Sequence, residues 1–273
     1  MPNPQIDRYT HYLYMLFKGH IHSVLCHSKT GLGKTYTTIK LLKNTKVRYK
    51  YVNGVVTPVE LYKLLYDNRY DILVLDDIET MFHNEYIINL LKAALWDVDG
   101  KREVSYKTSS KALEGYDSDF IYEGGLIILA NVIKGRKDES FKALMSRCLK
   151  CELIYTLDEI KQISTDIINK KDLTFIQKQT IIDIIRRRIF PQHSFNFRLL
   201  DRLEAFVKYD IQNAEELFLG SLDVDEILDT FLTVVDQYDS VVEQQLKFTE
   251  LTGKSKMTFY RMKKKLKREG LIK

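Results

Sequence analysis

Up to about Thr156 the chain alternates short apolar runs with amphipathic stretches. Ser23–Cys26, Val47–Val52, Asp71–Leu75, Leu126–Asn131 and Cys151–Tyr155 read as strands. Between them, Lys34–Leu42, Pro58–Tyr66, Asn84–Trp96 and Phe141–Cys148 carry helical patterns. Mostly apolar strands interleaved with helices predict a parallel sheet covered on both faces. From Thr156 to about Tyr209 no strand pattern remains. Leu157–Ile168, Leu173–Ile189 and Phe197–Val207 read as helices, with Pro191 breaking between the last two. Beyond Asp210 the chain is helical again, through Leu222–Tyr238, Lys247–Gly253 and Met257–Lys267. The change of pattern divides the chain into an α/β core over residues 1-155, an all-α segment over 156-215 and a small helical module over 216-273.

Composition narrows the class. The 273 residues can bury a sizeable core, and 45% hydrophobic with 29% charged residues is ordinary for a globular chain. No apolar run approaches the ~18 residues of a membrane span. The polar start, Met1 to Arg8, lacks the apolar centre of a signal peptide. A cytoplasmic protein without a membrane partner is therefore expected. Three cysteines, Cys26, Cys148 and Cys151, cannot form a disulfide framework, and Cys148-x-x-Cys151 has no second pair, so buried thiols are expected. The net charge of +5 is mild, but basic residues crowd the C-terminal end.

Chemistry enters at the turn after the first strand, Ser28-Lys29-Thr30-Gly31-Leu32-Gly33-Lys34-Thr35. A strand, a Gly-rich turn ending in Gly-Lys-Thr, then a helix is the context of a phosphate-binding loop. Glycines let successive backbone N–H groups face phosphate oxygens, and the helix N-terminus adds the positive end of its dipole. Lys34 is expected on the β- and γ-phosphates and Thr35 on Mg²⁺, with Tyr36 following into the helix. The usual first glycine of such a loop is Ser28 here. Further on, Asp71-Ile72-Leu73-Val74-Leu75-Asp76-Asp77-Ile78 is an apolar strand delivering two acids at its C-terminal edge, where parallel sheets bind ligands. Asp76 is assigned to the metal and Asp77 to the attacking water, with Glu79 a further acid for the base role.

Gly31-Leu32-Gly33-Lys34-Thr35 with Leu75-Asp76-Asp77-Ile78 resembles the AAA+ ATPases, and the Asp-Asp pair is similar to some members of the DnaA and DnaC initiator and helicase-loader clade. Leu126 to Asn131 resembles the sensor-1 strand, which implies that Asn131 orients the lytic water; capping a strand end is its plain alternative. Leu144-Met145-Ser146-Arg147 resembles the arginine-finger region, which implies that Arg147 reaches the neighbouring subunit's nucleotide, with Arg136 and Arg102 as competitors. Phe195 to Leu200 resembles the start of the sensor-2 helix of a lid, which implies that Arg198 touches the γ-phosphate; pairing with Asp201 is the alternative. The resemblance covers roughly Ser23 to Tyr209. It implies a P-loop NTPase (AAA+) core followed by an all-α lid, ATP and Mg²⁺ as cofactors, and a homo-oligomeric ring or spiral.

Two basic segments point to DNA. Between Trp96 and Leu126, Asp99-Gly100 opens a turn and Glu103–Thr108 alternates like a strand. By the resemblance this insertion faces a central channel, with Lys101, Arg102 and Lys107 on phosphates and Tyr106 stacking on bases; an ordinary surface hairpin is the alternative. At the C-terminal end, a helix, a Gly253-containing turn and the helix Lys256–Gly270 match a helix-turn-helix, and Gly270–Lys273 resembles the start of a wing. Phe259, Met262 and Leu266 are expected in its core, leaving Lys254, Ser255, Thr258, Tyr260, Arg261 and Lys264 for DNA. A basic partner-binding helix is the other reading. Together these features predict an ATP-dependent AAA+ protein that binds double-stranded DNA, with single-stranded DNA as a further partner. It would act in replication initiation or helicase loading, with a replicative helicase as a candidate partner. A transposition regulator, a small DNA motor, and a DNA-binding switch with little hydrolysis are the rivals.

Overall fold

A computed structural model gives the fold and describes residues 4–107, 111–131, 139–188, 195–223, 225–268 and 272, leaving aside the side chains of Pro4, Glu79 and Thr80. The chain divides into two compact units, Met1–Ile154 and Tyr155–Lys273.

The first unit is built on five parallel strands: β1 (Ser23–Ser28), β2 (Tyr49–Asn53), β3 (Ile72–Asp76), β6 (Gly125–Ala130) and β7 (Leu149–Leu153), in the order β2-β3-β6-β1-β7. The predicted strands recur, with every end within two residues of the one expected. All five residues of β3 are buried, as a strand covered on both faces requires. Around the sheet lie α1 (Pro4–Phe17), α2 (Lys34–Thr45), α3 (Pro58–Asp67), α4 (Glu85–Leu95) and α5 (Glu139–Ser146). One core unites Leu25, Leu73, Leu75, Leu126 and Ile128 of the sheet with Leu61 and Leu65 of α3 and Ile88 and Leu91 of α4. Local signals set the helix starts: Thr57 accepts from Glu60 N ahead of Pro58, and Asn84 accepts from Tyr86 N and Ile87 N.

The sequence pattern did not anticipate α1. Its Tyr9, Leu13 and Leu16 are buried at i, i+4 and i+7, and the Tyr9 hydroxyl meets Thr38 Oγ1 of α2 at 2.5 Å. Cys26 and Cys151 are in register across β1 and β7, and all three cysteines are free and buried.

The insertion is a small antiparallel ribbon, β4 (Glu103–Ser105) against β5 (Asp119–Ile121). The expected turn is present: Val98 and Lys101 exchange backbone hydrogen bonds around Asp99 and Gly100, both at positive φ, as a type I′ turn demands.

The second unit is helical: α6 (Leu157–Asn169), α7 (Phe175–Arg188), α8 (Leu199–Tyr209), α9 (Ala214–Leu219), α10 (Glu226–Gln237), α11 (Val241–Thr252) and α12 (Lys256–Arg268). A capping box, Thr156 with Glu159, fixes the first of these. Ile168, Ile181, Ile185, Leu200, Leu203 and Phe218 form one core, and Phe231, Phe248, Phe259 and Leu266 form another. The predicted helix Leu222–Tyr238 begins later than expected, because Asp225 accepts from Leu228 N and caps α10, while Leu222 packs on the preceding core. Ile189, Pro191 and most of the expected wing, Gly270, Leu271 and Lys273, lie outside the described residues. No described helix is long and apolar enough to cross a membrane.

Candidate functional site

Strand order brings the site together. β6 lies between β1 and β3, so Asn131, just past β6, emerges between the loop after β1 and the acids at the end of β3. Neighbouring strands are ~4.8 Å apart, which puts Asn131 within side-chain reach of both. Asn131 Nδ2 donates to Asp77 Oδ1 at 3.0 Å. Its Oδ1 accepts from Lys34 Nζ at 3.2 Å and from Thr30 Oγ1 at 3.2 Å. Thr35 Oγ1 donates to Asp76 Oδ2 at 2.6 Å. The structure thus brings the predicted Lys34, Thr35, Asp76, Asp77 and Asn131 into one hydrogen-bonded set.

The loop itself has the backbone its glycines foretold. Gly31 and Gly33 sit at φ 74° and 85°, where a Cβ is strained, and Lys34 opens α2 directly after Gly33. Ser28, in place of the usual glycine, is not at positive φ; it is buried, and its Oγ donates to Lys29 O at 2.7 Å and accepts from Lys34 Nζ at 3.1 Å. Lys34 also reaches Ser28 O at 3.4 Å and Lys29 O at 3.5 Å. Leu32 is buried, while Lys29 and Thr30 are exposed and Tyr36 stands out at 68% exposure under Lys40. No acidic residue occurs between Asp7 and Glu60, so the loop lies in an acid-free stretch carrying nine lysines and arginines. Such a bias favours a polyanion.

Asp76 is 3% exposed, and its Oδ1 accepts from Asp77 N at 3.1 Å. Asp77 itself is at φ 53°, a left-handed conformation that aspartate tolerates better than most residues and that turns its carboxylate toward Asn131. Glu79 opens a one-turn 3-10 helix, Glu79–His83; its side chain lies outside the described part. The Thr35 hydroxyl and Asp76 carboxylate are hard oxygen donors at the C-terminal sheet edge, chemically suited to a small divalent cation.

Two further site residues escaped the sequence reading. The Tyr51 hydroxyl of β2 donates to Asp76 Oδ2 at 2.9 Å, and Asn53 Nδ2 donates to the Tyr51 oxygen at 3.2 Å. Partial burial raises the Tyr51 phenol above its ordinary range, with the Asp76 carboxylate adding to the rise, so it remains a proton donor at neutral pH. Their signal was the period-two pattern Tyr49, Tyr51, Asn53 on a strand ending beside the acids.

A likeness to solved structures extends over more than nine-tenths of the chain. RuvB of Thermotoga maritima, described as a Holliday junction branch migration motor, superposes with a TM-score of 0.52 at 15% identity, over 94% of this chain and 84% of that one. A point variant of the same protein gives 0.52 at 16% identity, over 93% and 84%. The chain shares the fold of these structures, the P-loop (AAA+) fold. A curated relative, an uncharacterized 36.7 kDa protein from the nrdC-mobD intergenic region of Enterobacteria phage T4, is 29% identical over 227 residues, 75% of this chain and 69% of that protein. No protein-family model matches the sequence.

The remaining predicted residues fall in different places. Arg147 follows α5; its Nη1 donates to Ala143 O at 2.6 Å, its guanidinium stacks 4.6 Å from the Trp96 ring, and its Nε is buried without a partner. Arg198, exposed, immediately precedes α8 in the second unit. Arg136 lies outside the described residues.

Arg102 corrects the reading of the insertion. It is 5% exposed, donates to Ala94 O at 3.2 Å and sits 5.4 Å from the Tyr122 ring, so it holds the ribbon to α4 and is not available to DNA or as a finger. Tyr106 is likewise half-buried, packed 5.6 Å from the Tyr62 ring rather than free to stack on bases. Lys101 and Lys107 are exposed.

In the C-terminal module, Gly253 ends α11 in the left-handed conformation and Ser255 caps α12 by accepting from Thr258 N at 3.3 Å. Phe259 and Leu266 face the module core with Met262 partly buried, whereas Lys254, Tyr260, Arg261 and Lys264 are exposed and Thr258 is half-buried.

Proposed function

We propose that this chain is an ATP-hydrolysing AAA+ protein that works on DNA in the cytoplasm, in replication initiation or helicase loading. The observation that carries the reading is the hydrogen-bonded set joining Lys34, Asn131 and Asp77 beside Thr35 and Asp76. Phosphate oxygens would replace the neutral oxygens now around Lys34, while Thr35 and Asp76 would hold Mg²⁺, whose charge offsets that of the phosphates. Asp77, oriented by Asn131, would take a proton from the attacking water. Arg147 of one subunit would complete the site of the next by leaving Trp96, and Arg198 would act from the helical unit. ATP binding would drive assembly into a ring or spiral, and hydrolysis would release it.

DNA would be held by α12, through Lys254, Ser255, Thr258, Tyr260, Arg261 and Lys264, with Lys101 and Lys107 adding phosphate contacts. The phage relative supports a viral setting, in which a replicative helicase is the natural partner. A small DNA motor is the second reading, favoured by a likeness to the branch migration motor that extends through the C-terminal helices.

ATP turnover measured with no DNA, duplex DNA and single-stranded DNA tests this. Magnesium-dependent turnover that rises with DNA is the expected result. ATP-dependent DNA affinity with negligible turnover would instead favour a nucleotide switch, and ATP-dependent displacement of a strand the motor.

A further inference from the structure

No motif singles out Tyr51, yet its hydroxyl and that of Thr35 converge on one oxygen, Asp76 Oδ2, at 2.9 and 2.6 Å. The other oxygen, Oδ1, takes the Asp77 N–H at 3.1 Å. Behind Tyr51, Asn53 Nδ2 donates to the phenol oxygen at 3.2 Å. The backbone fixes the arrangement: Asn53 is level with Asp76 across the β2–β3 pair, and Gly54 N donates to Asp76 O at 3.2 Å.

Reach explains the residue type. Tyr51 is level with Val74, two residues short of Asp76, or roughly 6.6 Å along the strand. A serine or threonine there would be too short to span that distance, whereas a phenol leaning along the strand does so. A phenol is also a neutral donor. A lysine or arginine in its place would cancel the carboxylate charge that attracts a cation. The terminal torsion of a carboxylate is broad and needs partners to fix it. Donors held behind a metal-binding carboxylate commonly set its affinity.

We propose that Tyr51, supported by Asn53, is a positioning residue that aims the Asp76 carboxylate at the divalent cation carried by a nucleoside triphosphate. This rests on the ATPase reading above and deepens it: the edge strand β2, outside both nucleotide motifs, sets how tightly the metal is held.

The test titrates Mg²⁺ against binding of a fluorescent ATP analogue, starting in EDTA, for the wild type, Tyr51→Phe and Asn53→Ala. Metal-free binding of the analogue and the apo unfolding midpoint should match the wild type in both variants. The Mg²⁺ concentration giving half of the metal-dependent tightening should rise about tenfold in Tyr51→Phe, the low end of the range for lost supporting donors. Asn53→Ala, at an exposed position, should shift it less and in the same direction. An unmoved Mg²⁺ midpoint in Tyr51→Phe, or an equal loss of metal-free binding, overturns the proposal. A wild type that binds no analogue overturns the ATPase reading itself.

Discussion

Replacing Asn131 by alanine separates what this residue does for the fold from what it does for chemistry. The change removes a donor to Asp77 Oδ1 at 3.0 Å and an acceptor for Lys34 and Thr30, each at 3.2 Å. The bonds to Thr30 and Asp77 are exposed, where water can take over, and the part-buried Lys34 keeps its bonds to Ser28. Their combined stabilisation of the fold is therefore about 1 kcal/mol, the net worth of one ordinary hydrogen bond. In a unit of this size that moves the unfolding midpoint by roughly 2–4 °C. The effect on turnover should be far larger. In the proposed mechanism Asn131 orients the carboxylate that meets the attacking water, and loss of one such preorganised group typically lowers kcat by about 10²–10³-fold, or roughly 3–4 kcal/mol. ATP affinity should stay within a few-fold, because the loop backbone, Lys34 and Thr35 remain. Single-turnover hydrolysis with protein in excess, alongside equilibrium binding of a fluorescent ATP analogue, measures the two effects separately. A kcat within about threefold of the wild type, or a loss confined to affinity, would refute the assignment of Asn131 to the chemical step.

Arg102→Ala should destabilise the first unit by about 2–4 kcal/mol in urea unfolding, because the residue is 5% exposed and its guanidinium is bound to Ala94 O; Lys101→Ala and Lys107→Ala, at exposed positions, should change stability by under about 0.5 kcal/mol. Phe259 contacts Phe231 at 5.1 Å and Phe248 at 5.6 Å between ring centroids, so Phe259→Ala should cost about 3–5 kcal/mol within the C-terminal module, seen as lost amide protection in α10–α12. Arg261→Ala should leave that protection intact while weakening DNA binding and reducing its salt slope by about one. Glu204 accepts from Lys171 and from Lys208, the latter at 2.7 Å, and these bonds hold its carboxyl below the ordinary range. Its folded pKa is thus the lower one, so its stabilisation is complete above the ordinary glutamate range and is lost as pH falls from that range through the lower folded value. The unfolding midpoint of Glu204→Gln should accordingly fall less steeply in acid than that of the wild type.

Features that depend on local backbone demands were legible in the sequence. Gly31 and Gly33 are needed at positive φ, Asp99-Gly100 builds a type I′ turn, and the buried β3 must be apolar along its whole length. Each leaves a mark within a few residues. Asn131 was legible because Leu126 to Asn131 resembles a sensor-1 strand; that β6 lies between β1 and β3, and so brings Asn131 to both the loop and the acids, is visible only in the fold. Arg102 misled because a basic pair beside a turn looks the same whether its guanidinium faces water or the Ala94 carbonyl; burial of one member is decided by α4 and Tyr122, remote in sequence. The helix α1 hid for another reason. Its buried stripe is Tyr9, Leu13 and Leu16, diluted by His11, Tyr12 and Tyr14 and preceded by Pro-Asn-Pro. Tyr51 acquires its role only from the register of β2 on β3, which no single strand reveals.

The central claim is that the loop from Ser28 to Thr35 binds a nucleoside triphosphate through Lys34. Calorimetric titration of ATP with Mg²⁺ into the wild type and Lys34→Ala addresses it most directly. The account predicts a saturable wild-type isotherm and its loss in Lys34→Ala, with the thermal unfolding of the two apo proteins closely matched. Unchanged ATP affinity in Lys34→Ala would contradict it.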